Sequence, residues 1–222
     1  MTSDLPRLLR TLRVWAPEAT SLPPFDPDAA PDTPLPLFER WFTEAVAAGE
    51  REPHTVSLAT ADEDGAPDVR IVMLHGADED HGWSFASHST SRKGRQLAVR
   101  PQAALAFYWP SLGRQVRVRG RVTTAPDTES QADLHARSTG ALAAALTGRQ
   151  SQVLSSVGEL AAASEEAWER AVRDPDAPAP TWTLYRLTPD AVEFFQGDER
   201  RRHVRLEYRR ARGSWEKALL WP

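Results

Sequence analysis

The sequence predicts a mainly β (α+β) fold, a β-barrel with peripheral helices, on three observations. Short apolar or alternating runs of strand length recur through residues 54–219, separated by turn residues. Helical periodicity is confined to a few stretches between them. Strands and helices nowhere alternate in the βαβ order that a parallel sheet needs. At 222 residues the chain can bury a sizeable core in one barrel domain, expected over 37–222 behind a mobile proline-rich N-terminal arm over 1–36.

The arm begins with a short amphipathic stretch (Leu5, Leu8, Leu9, Leu12) and continues as a run from Pro17 to Pro36 that cannot propagate a helix. From Leu37 the apolar residues Leu37, Phe38, Trp41, Phe42, Ala45 and Val46 share one helical face, closed by Gly49 as the C′ residue. His54–Ala61 and Val69–Leu74 read as strands joined through Asp62-Glu63-Asp64-Gly65. Trp83–Ser87 is a third strand, and Ser91–Val99 a short helix stopped before Pro101. Ala103–Trp109 is apolar throughout, as in a buried strand, whereas Gln115–Val122 alternates valines with Arg117, Arg119 and Arg121, as in a strand with one wet face. Thr128 and Gln131 have capping-box spacing and open a helix to about Arg137. A longer helix covers Ser155–Val172, Pro175 to Pro180 is a linker, and Thr181–Leu187, Ala191–Phe195, His203–Tyr208 and Trp215–Leu219 are strands.

Composition narrows the function. Twenty-seven basic against 31 acidic side chains leave a net charge of −4, which argues against a dedicated nucleic-acid binder. The absence of cysteine removes disulfides, thiol nucleophiles and cysteine-ligated metals, and the six histidines lack metal-site spacing, so no metal is expected. No apolar run is long enough to span a membrane and no secretory signal opens the chain, so a cytoplasmic protein is expected. Only Lys93 and Lys217 are lysines among the basic residues, a mild hint that arginine would not serve there.

Four segments carry candidate chemistry. Ser89-Thr90-Ser91-Arg92-Lys93-Gly94, at a strand–helix junction, reads either as a helix cap with solvated charges or as hydroxyls, backbone N–H groups and cations around a phosphate. Arg70-Ile71-Val72 places an arginine in an apolar strand, either on the exposed face or half-buried beside an anion. Gln115 and Gln150-Ser151 offer groups that can meet the edge of a heterocycle. Phe194 to Arg205 joins an aromatic pair to a cationic turn containing His203, either a solvated hairpin or a site for an anionic aromatic ligand.

Together and in this order these segments resemble the pyridoxamine 5′-phosphate oxidase family. The match rests on Phe38-Glu39-Arg40-Trp41, Ala59-Thr60-Ala61, Asp64-Gly65-Ala66-Pro67, Arg70-Ile71-Val72, Ser91-Arg92-Lys93, Arg114-Gln115-Val116, Gln150-Ser151 and Phe194 to Arg205, and runs from about Leu35 to the C-terminus. The resemblance implies a split β-barrel, a homodimer and FMN at the subunit interface. Arg70 and Lys93, with Ser87, Ser91 and Arg92 nearby, would hold the FMN phosphate; the Ile71–Val72 backbone would line the ring; Gln115, Gln150, Ser151, Phe195 and Arg205 would complete the flavin site. Phe195 stands where most members carry tryptophan, and Ala86 where tyrosine is common. The implied chemistry is hydride transfer to FMN followed by reoxidation with dioxygen, with Arg201 and His203 flanking the substrate ring and His203 the candidate acid/base.

The family's substrate-phosphate clamp of lysine, tyrosine, arginine and serine is matched here by His75, Asp133, Arg137 and Ala141, of which only Arg137 keeps the family residue. The family's Arg-x-x-Tyr in the N-terminal arm is also not evident. These departures favour a relative recruited to oxidise another heterocycle, as in the phenazine-biosynthesis branch, which Ser87-His88 and Phe107-Tyr108-Trp109 also resemble. The alternatives are a genuine pyridoxine/pyridoxamine 5′-phosphate oxidase with a rearranged clamp and, from another class, a flavin-binding carrier or sensor without turnover.

Overall fold

A computed structural model describes residues 4–12 and 22–222. Three segments (1–53, 108–116 and 193–222) form one compact unit, and two (54–107 and 117–192) form the other. The strands are β1 (Thr55–Ala61), β2 (Pro67–Met73), β3 (Gly76–Asp78), β4 (Gly82–His88), β5 (Gln102–Trp109), β6 (Arg114–Thr124), β7 (Trp182–Gln196), β8 (Val204–Ala211) and β9 (Ser214–Leu220). Their order is β2-β1-β5-β6-β7-β4-β3, with β8 paired to β7 and β9 to β8.

In the second unit, β1 and β2 pair antiparallel with Leu58 opposite Arg70, and β4 pairs with β7 with Phe85 opposite Tyr185. The β1–β2 turn forms as its residues dictate: Asp62 Oδ1 accepts the N–H groups of Asp64 and Ala66, and Gly65 takes φ +86°. Leu58, Phe85, Leu105, Phe107, Val118 and Leu187 are buried in its core. Helix α3 (Arg92–Val99) starts as expected, with Ser91 Oγ accepting the Gly94 N–H.

Four expectations for this unit need correction. Helix α4 (Asp127–His135) is capped by Pro126 with no side-chain bond, so the Thr128–Gln131 box does not form. A further helix, α5 (Thr139–Leu146), escaped the periodicity reading because Thr-Gly-Ala-Leu-Ala-Ala-Ala-Leu has no polar face to set a period; its one signal is the N-cap Ser138. The short strand β3 and the 3₁₀ turn Pro110–Leu112, which lies in the first unit, were likewise not anticipated. The strands expected over Thr181–Leu187 and Ala191–Phe195 are one, β7, running through Pro189. Gly120 makes this possible, since a Cβ there would run into Thr188 O and lie 2.8 Å from Pro189 Cα. Helix α6 (Val157–Arg173) packs on α5 around Leu134, Leu142, Ala145 and Ala171.

In the first unit, α1 (Leu5–Thr11) is exposed along its length, and α2 runs from Pro34 to Ala47 with Gly49 at φ +74° beyond it. Helix α2 starts three residues before Leu37 because a proline is tolerated in a first helical turn. Trp41 meets Phe194 edge-on at 5.2 Å, and Phe194 meets Tyr208 at 5.7 Å. Part of the expected arm, residues 1–3 and 13–21, lies outside the described residues. In the described part Ala30 is buried, Pro31 O accepts from Tyr208 Oη at 2.8 Å and Ala30 O from Lys217 Nζ at 2.9 Å.

Candidate active site

The strand–helix junction of the second unit gathers the cations. The Arg70 guanidinium leaves the β2 edge strand towards β1, where it donates to Leu58 O at 3.3 Å, to Thr60 Oγ1 and to Gln96 Oε1 at 3.1 Å, and pairs with Asp68 at 2.7 Å. The half-buried alternative is therefore the one the fold adopts. Two strand residues apart, Asp68 and Arg70 share a face, a spacing legible in the sequence; the Thr60 and Gln96 contacts had no sequence signal. Lys93 donates to Ser87 Oγ at 3.0 Å, and Ser87 Oγ lies 3.4 Å from Ser91 Oγ. Burial first, then the Arg70 charge, hold Lys93 below the usual lysine range, with Asp68 opposing them. The Arg92 N–H donates to Ser151 Oγ at 3.0 Å, and Ser151 sits at φ +69°. Gln150 Nε2 reaches Ala144 O at 3.0 Å, while its Oε1 is buried without a partner.

Gly94 is required where it stands: a Cβ there would run into Ser89 O and His88 O, so this close approach seats α3 against the end of β4. His88 is buried, its Nδ1 2.7 Å from Thr181 Oγ1. Burial, reinforced by Lys93, lowers its pKa to about 4, so the ring is neutral at physiological pH.

The same unit brings three of the four clamp-matching residues together around one carboxylate. Asp133 accepts from His75 Nδ1 at 2.9 Å, from Arg137 Nε and Nη2 at 3.3 and 3.2 Å, and from Trp182 Nε1 at 3.2 Å. Burial would raise the Asp133 pKa, but the hydrogen bonds and charges of His75 and Arg137 prevail and hold it at about 2. Trp182, absent from the sequence reading, also stacks on His75 with ring centroids 6.5 Å apart. Ala141 caps nothing polar with its side chain; its backbone N–H meets Ser138 Oγ.

The first unit holds the other set. Phe195 and His203 rings lie 5.1 Å apart, and His203 Nδ1 accepts the Asp198 N–H at 3.0 Å. Asp198 shapes the turn, its Oδ1 accepting from the Arg200 and Arg202 N–H groups at 2.8 and 3.1 Å, while Arg201 sits at φ +63° with its N–H on Asp198 O. Arg205 donates to buried Glu193 at 2.9 Å and to Trp221 O at 2.8 Å; the Glu193 hydrogen bond raises its pKa further. Gln115 is half-buried near the start of β6.

Comparison with known proteins gives the family and the fold. The family model described as pyridoxamine 5′-phosphate oxidase matches residues 42–171, and that of the pyridoxine 5′-phosphate oxidase C-terminal dimerisation region matches 182–222. The pyridoxine/pyridoxamine 5′-phosphate oxidase of Burkholderia cenocepacia (strain HI2424) is 45% identical over 198 residues, 88% of this chain and 91% of its own. That of Ectopseudomonas mendocina (strain ymp) is 42% identical over 195 residues, 87% and 90% of the two chains. PhzG from Burkholderia lata 383, solved with tetrahydrophenazine-1-carboxylic acid, superposes with a TM-score of 0.84 at 32% identity, over 92% of this chain and 100% of that one. A pyridoxamine 5′-phosphate oxidase-related, FMN-binding protein from Nostoc punctiforme PCC 73102 shares the fold, with a TM-score of 0.66 at 22% identity over 83% of this chain and 97% of that one. The fold is thus the mainly β split barrel of flavin-binding proteins, with peripheral helices. The chain belongs to the pyridoxamine 5′-phosphate oxidase family, a family of oxidoreductases.

Proposed function

We propose that this protein is an FMN-dependent oxidase, working as a homodimer, that takes a hydride from a heterocyclic substrate lacking a phosphate, such as a dihydro-aromatic or phenazine-like compound in secondary metabolism. The observation that carries the substrate reading is the occupied Asp133 carboxylate. His75 and Arg137, two of the positions that match a phosphate clamp, are already bonded to an internal anion. A phosphate dianion entering there would meet a carboxylate that stays ionised down to about pH 2. PhzG, solved with tetrahydrophenazine-1-carboxylic acid, supports the same direction.

The donor set of the second unit fits a flavin phosphate. Lys93 and Arg70 are close enough for one charge to depress the other, which a bound dianion would relieve, and the hydroxyls of Ser87 and Ser91 and the start of α3 add donors beside them. Arg70, Lys93, Ser87, Ser91 and Arg92 would hold the phosphate, and Ile71, Val72, Gln150 and Ser151 are proposed for the same cofactor. What the flavin supplies when bound is acceptance of two electrons from a substrate C–H bond, with dioxygen as terminal acceptor. Gln115, Phe195 and Arg205 are proposed for the flavin, and Arg201 and His203 for the substrate ring, on the family resemblance. His203 receives an N–H at Nδ1, so its neutral ring carries the proton on Nε2 and offers a donor there. Accepting a proton at Nδ1 would break the bond to Asp198.

A genuine pyridoxine/pyridoxamine 5′-phosphate oxidase is the second reading, favoured by the retained Arg137 and by the names of relatives that are 42–46% identical. The deciding experiment purifies the yellow protein and mixes it anaerobically with pyridoxine 5′-phosphate, pyridoxamine 5′-phosphate or a dihydrophenazine carboxylic acid. Bleaching of the flavin by the dihydrophenazine alone is the expected result. Bleaching by the phosphorylated vitamers would overturn the substrate reading, and absence of bound flavin would overturn the cofactor reading.

A further inference from the structure

In the first unit, Arg114 is a buried cation that the proposed chemistry does not use. Only 3% of it is exposed, and its guanidinium lies over the Trp41 ring at 4.3 Å. Nη1 is paired with Glu44, and Nε donates to Gln196 Oε1 at 2.9 Å. The amide nitrogen of Gln196 then donates to Leu112 O at 3.0 Å and to Gly197 O at 3.3 Å, and the Gly197 N–H closes the strap on Gly113 O at 2.7 Å. Both polar backbone groups of Gly197, the residue from which the Asp198–His203 turn departs, are therefore fixed by one connected set of bonds.

Burying a guanidinium costs several kcal/mol unless its donors are satisfied. A packing role alone would be met by an apolar side chain against Trp41. The direction of the bonds points to something more. Gln115 follows Arg114, and Phe195 precedes Gln196, so along each strand the buried polar residue and its neighbour face opposite ways. Arg114 and Gln196 are buried and bonded to each other, whereas their neighbours Gln115 and Phe195 are half-buried.

We infer that Arg114 is a positioning residue: through Gln196 it fixes the root of the 197–203 turn and thereby the orientation of His203 and the neighbouring Phe195. The inference rests on the reading of that turn as part of the site, and its test separates the two. The full-length apoprotein is labelled with ¹⁵N-histidine, and the His203 ring signals are assigned with a His203→Gln variant. In the wild type His203 shows a protonated Nε2 and an acceptor Nδ1. Gln196→Met and Arg114→Lys are expected to move it towards the mixed tautomers of a free ring and to weaken FMN binding about tenfold or more, the loss of one charge-assisted bond. Glu44→Gln removes a partner from the same guanidinium without touching Gln196, and is expected to lower the melting temperature while leaving the ring signals and FMN affinity as in the wild type. Unchanged His203 signals in both strap variants, despite lower melting temperatures, would overturn the inference, as would an equal shift in Glu44→Gln. Should the wild type bind no FMN, the ring signals still decide the role of Arg114, and only the cofactor reading falls.

Discussion

The indole N–H of Trp182 donates to Asp133 Oδ2 at 3.2 Å, and this bond orients the carboxylate towards His75 and Arg137. A tyrosine at 133 would leave the donors of His75 and Arg137 available to an incoming anion. The aspartate supplies the anion from within, and Trp182 holds it in place from β7 while stacking on His75. Residues far apart along the chain, at 75, 133 and 182, thus form one bonded group.

Asp133→Asn should loosen that group. Arg137 and His75 would be released from a neighbouring charge, and affinity for pyridoxal 5′-phosphate should rise by about 10- to 100-fold, the worth of one or two charge-assisted hydrogen bonds. Titration of the apoprotein by vitamer fluorescence reads this directly. Unchanged affinity would mean that the clamp positions do not meet the phosphate. The pH dependence supplies a second check. A folded-state pKa of about 2 against the ordinary 3.8 means that the stability from this carboxylate is complete above about pH 4 and is lost as pH falls through about 2. The asparagine variant should lack that acid limb.

His88 gives a slope at higher pH. Its folded-state pKa of about 4 lies below the ordinary 6.5, so the unfolded chain binds a proton that the native state refuses. The contribution is full above pH 6.5 and declines as pH falls to about 4. Urea midpoints measured between pH 4 and 7 should drop more steeply for the wild type than for His88→Gln. Parallel curves would show that the ring is protonated in place.

Gly94→Ala should cost about 1–3 kcal/mol, as overpacking of a closed contact does. The new methyl meets the carbonyls of His88 and Ser89, which are backbone and cannot swing aside. Because the same turn of α3 carries Lys93, FMN affinity should fall with stability. A variant that melts normally would show that α3 can slide along β4.

The sequence carried most of this architecture because local chemistry and tertiary role coincide. Ser91 caps α3, Gly65 makes the β1–β2 turn, and the alternating valines of β6 face inward. What escaped it depends on close approach between distant segments. Nothing near Pro189 announces that Gly120 will let a strand run straight past it, and nothing in an alanine-rich stretch announces α5. At the site, residue types named the cations but not their partners. Asp68 could be paired with Arg70 from strand spacing, whereas Gln96, Trp182 and Gln196 lie 26, 49 and 82 residues from the groups they bind.

Strand β2 ends the sheet and turns Val69, Ile71 and Met73 outward, 66%, 64% and 53% exposed. Alternate residues of a strand share a face, so these three form a continuous apolar stripe, which a monomer rarely leaves in water. The match of residues 182–222 to a dimerisation region points to a second copy of the chain, which is the expected occupant of the stripe. Covering one such side chain is worth about 1.5–3 kcal/mol, and two-fold symmetry counts it twice. Ile71→Arg should therefore raise the dimer dissociation constant by about two to four decades and give a monomer at micromolar concentration in size-exclusion chromatography with light scattering. Val172→Arg, at a similarly exposed apolar position on α6, should leave the dimer intact and controls for added charge. A dimer that survives Ile71→Arg with unchanged affinity would place the subunit contact elsewhere.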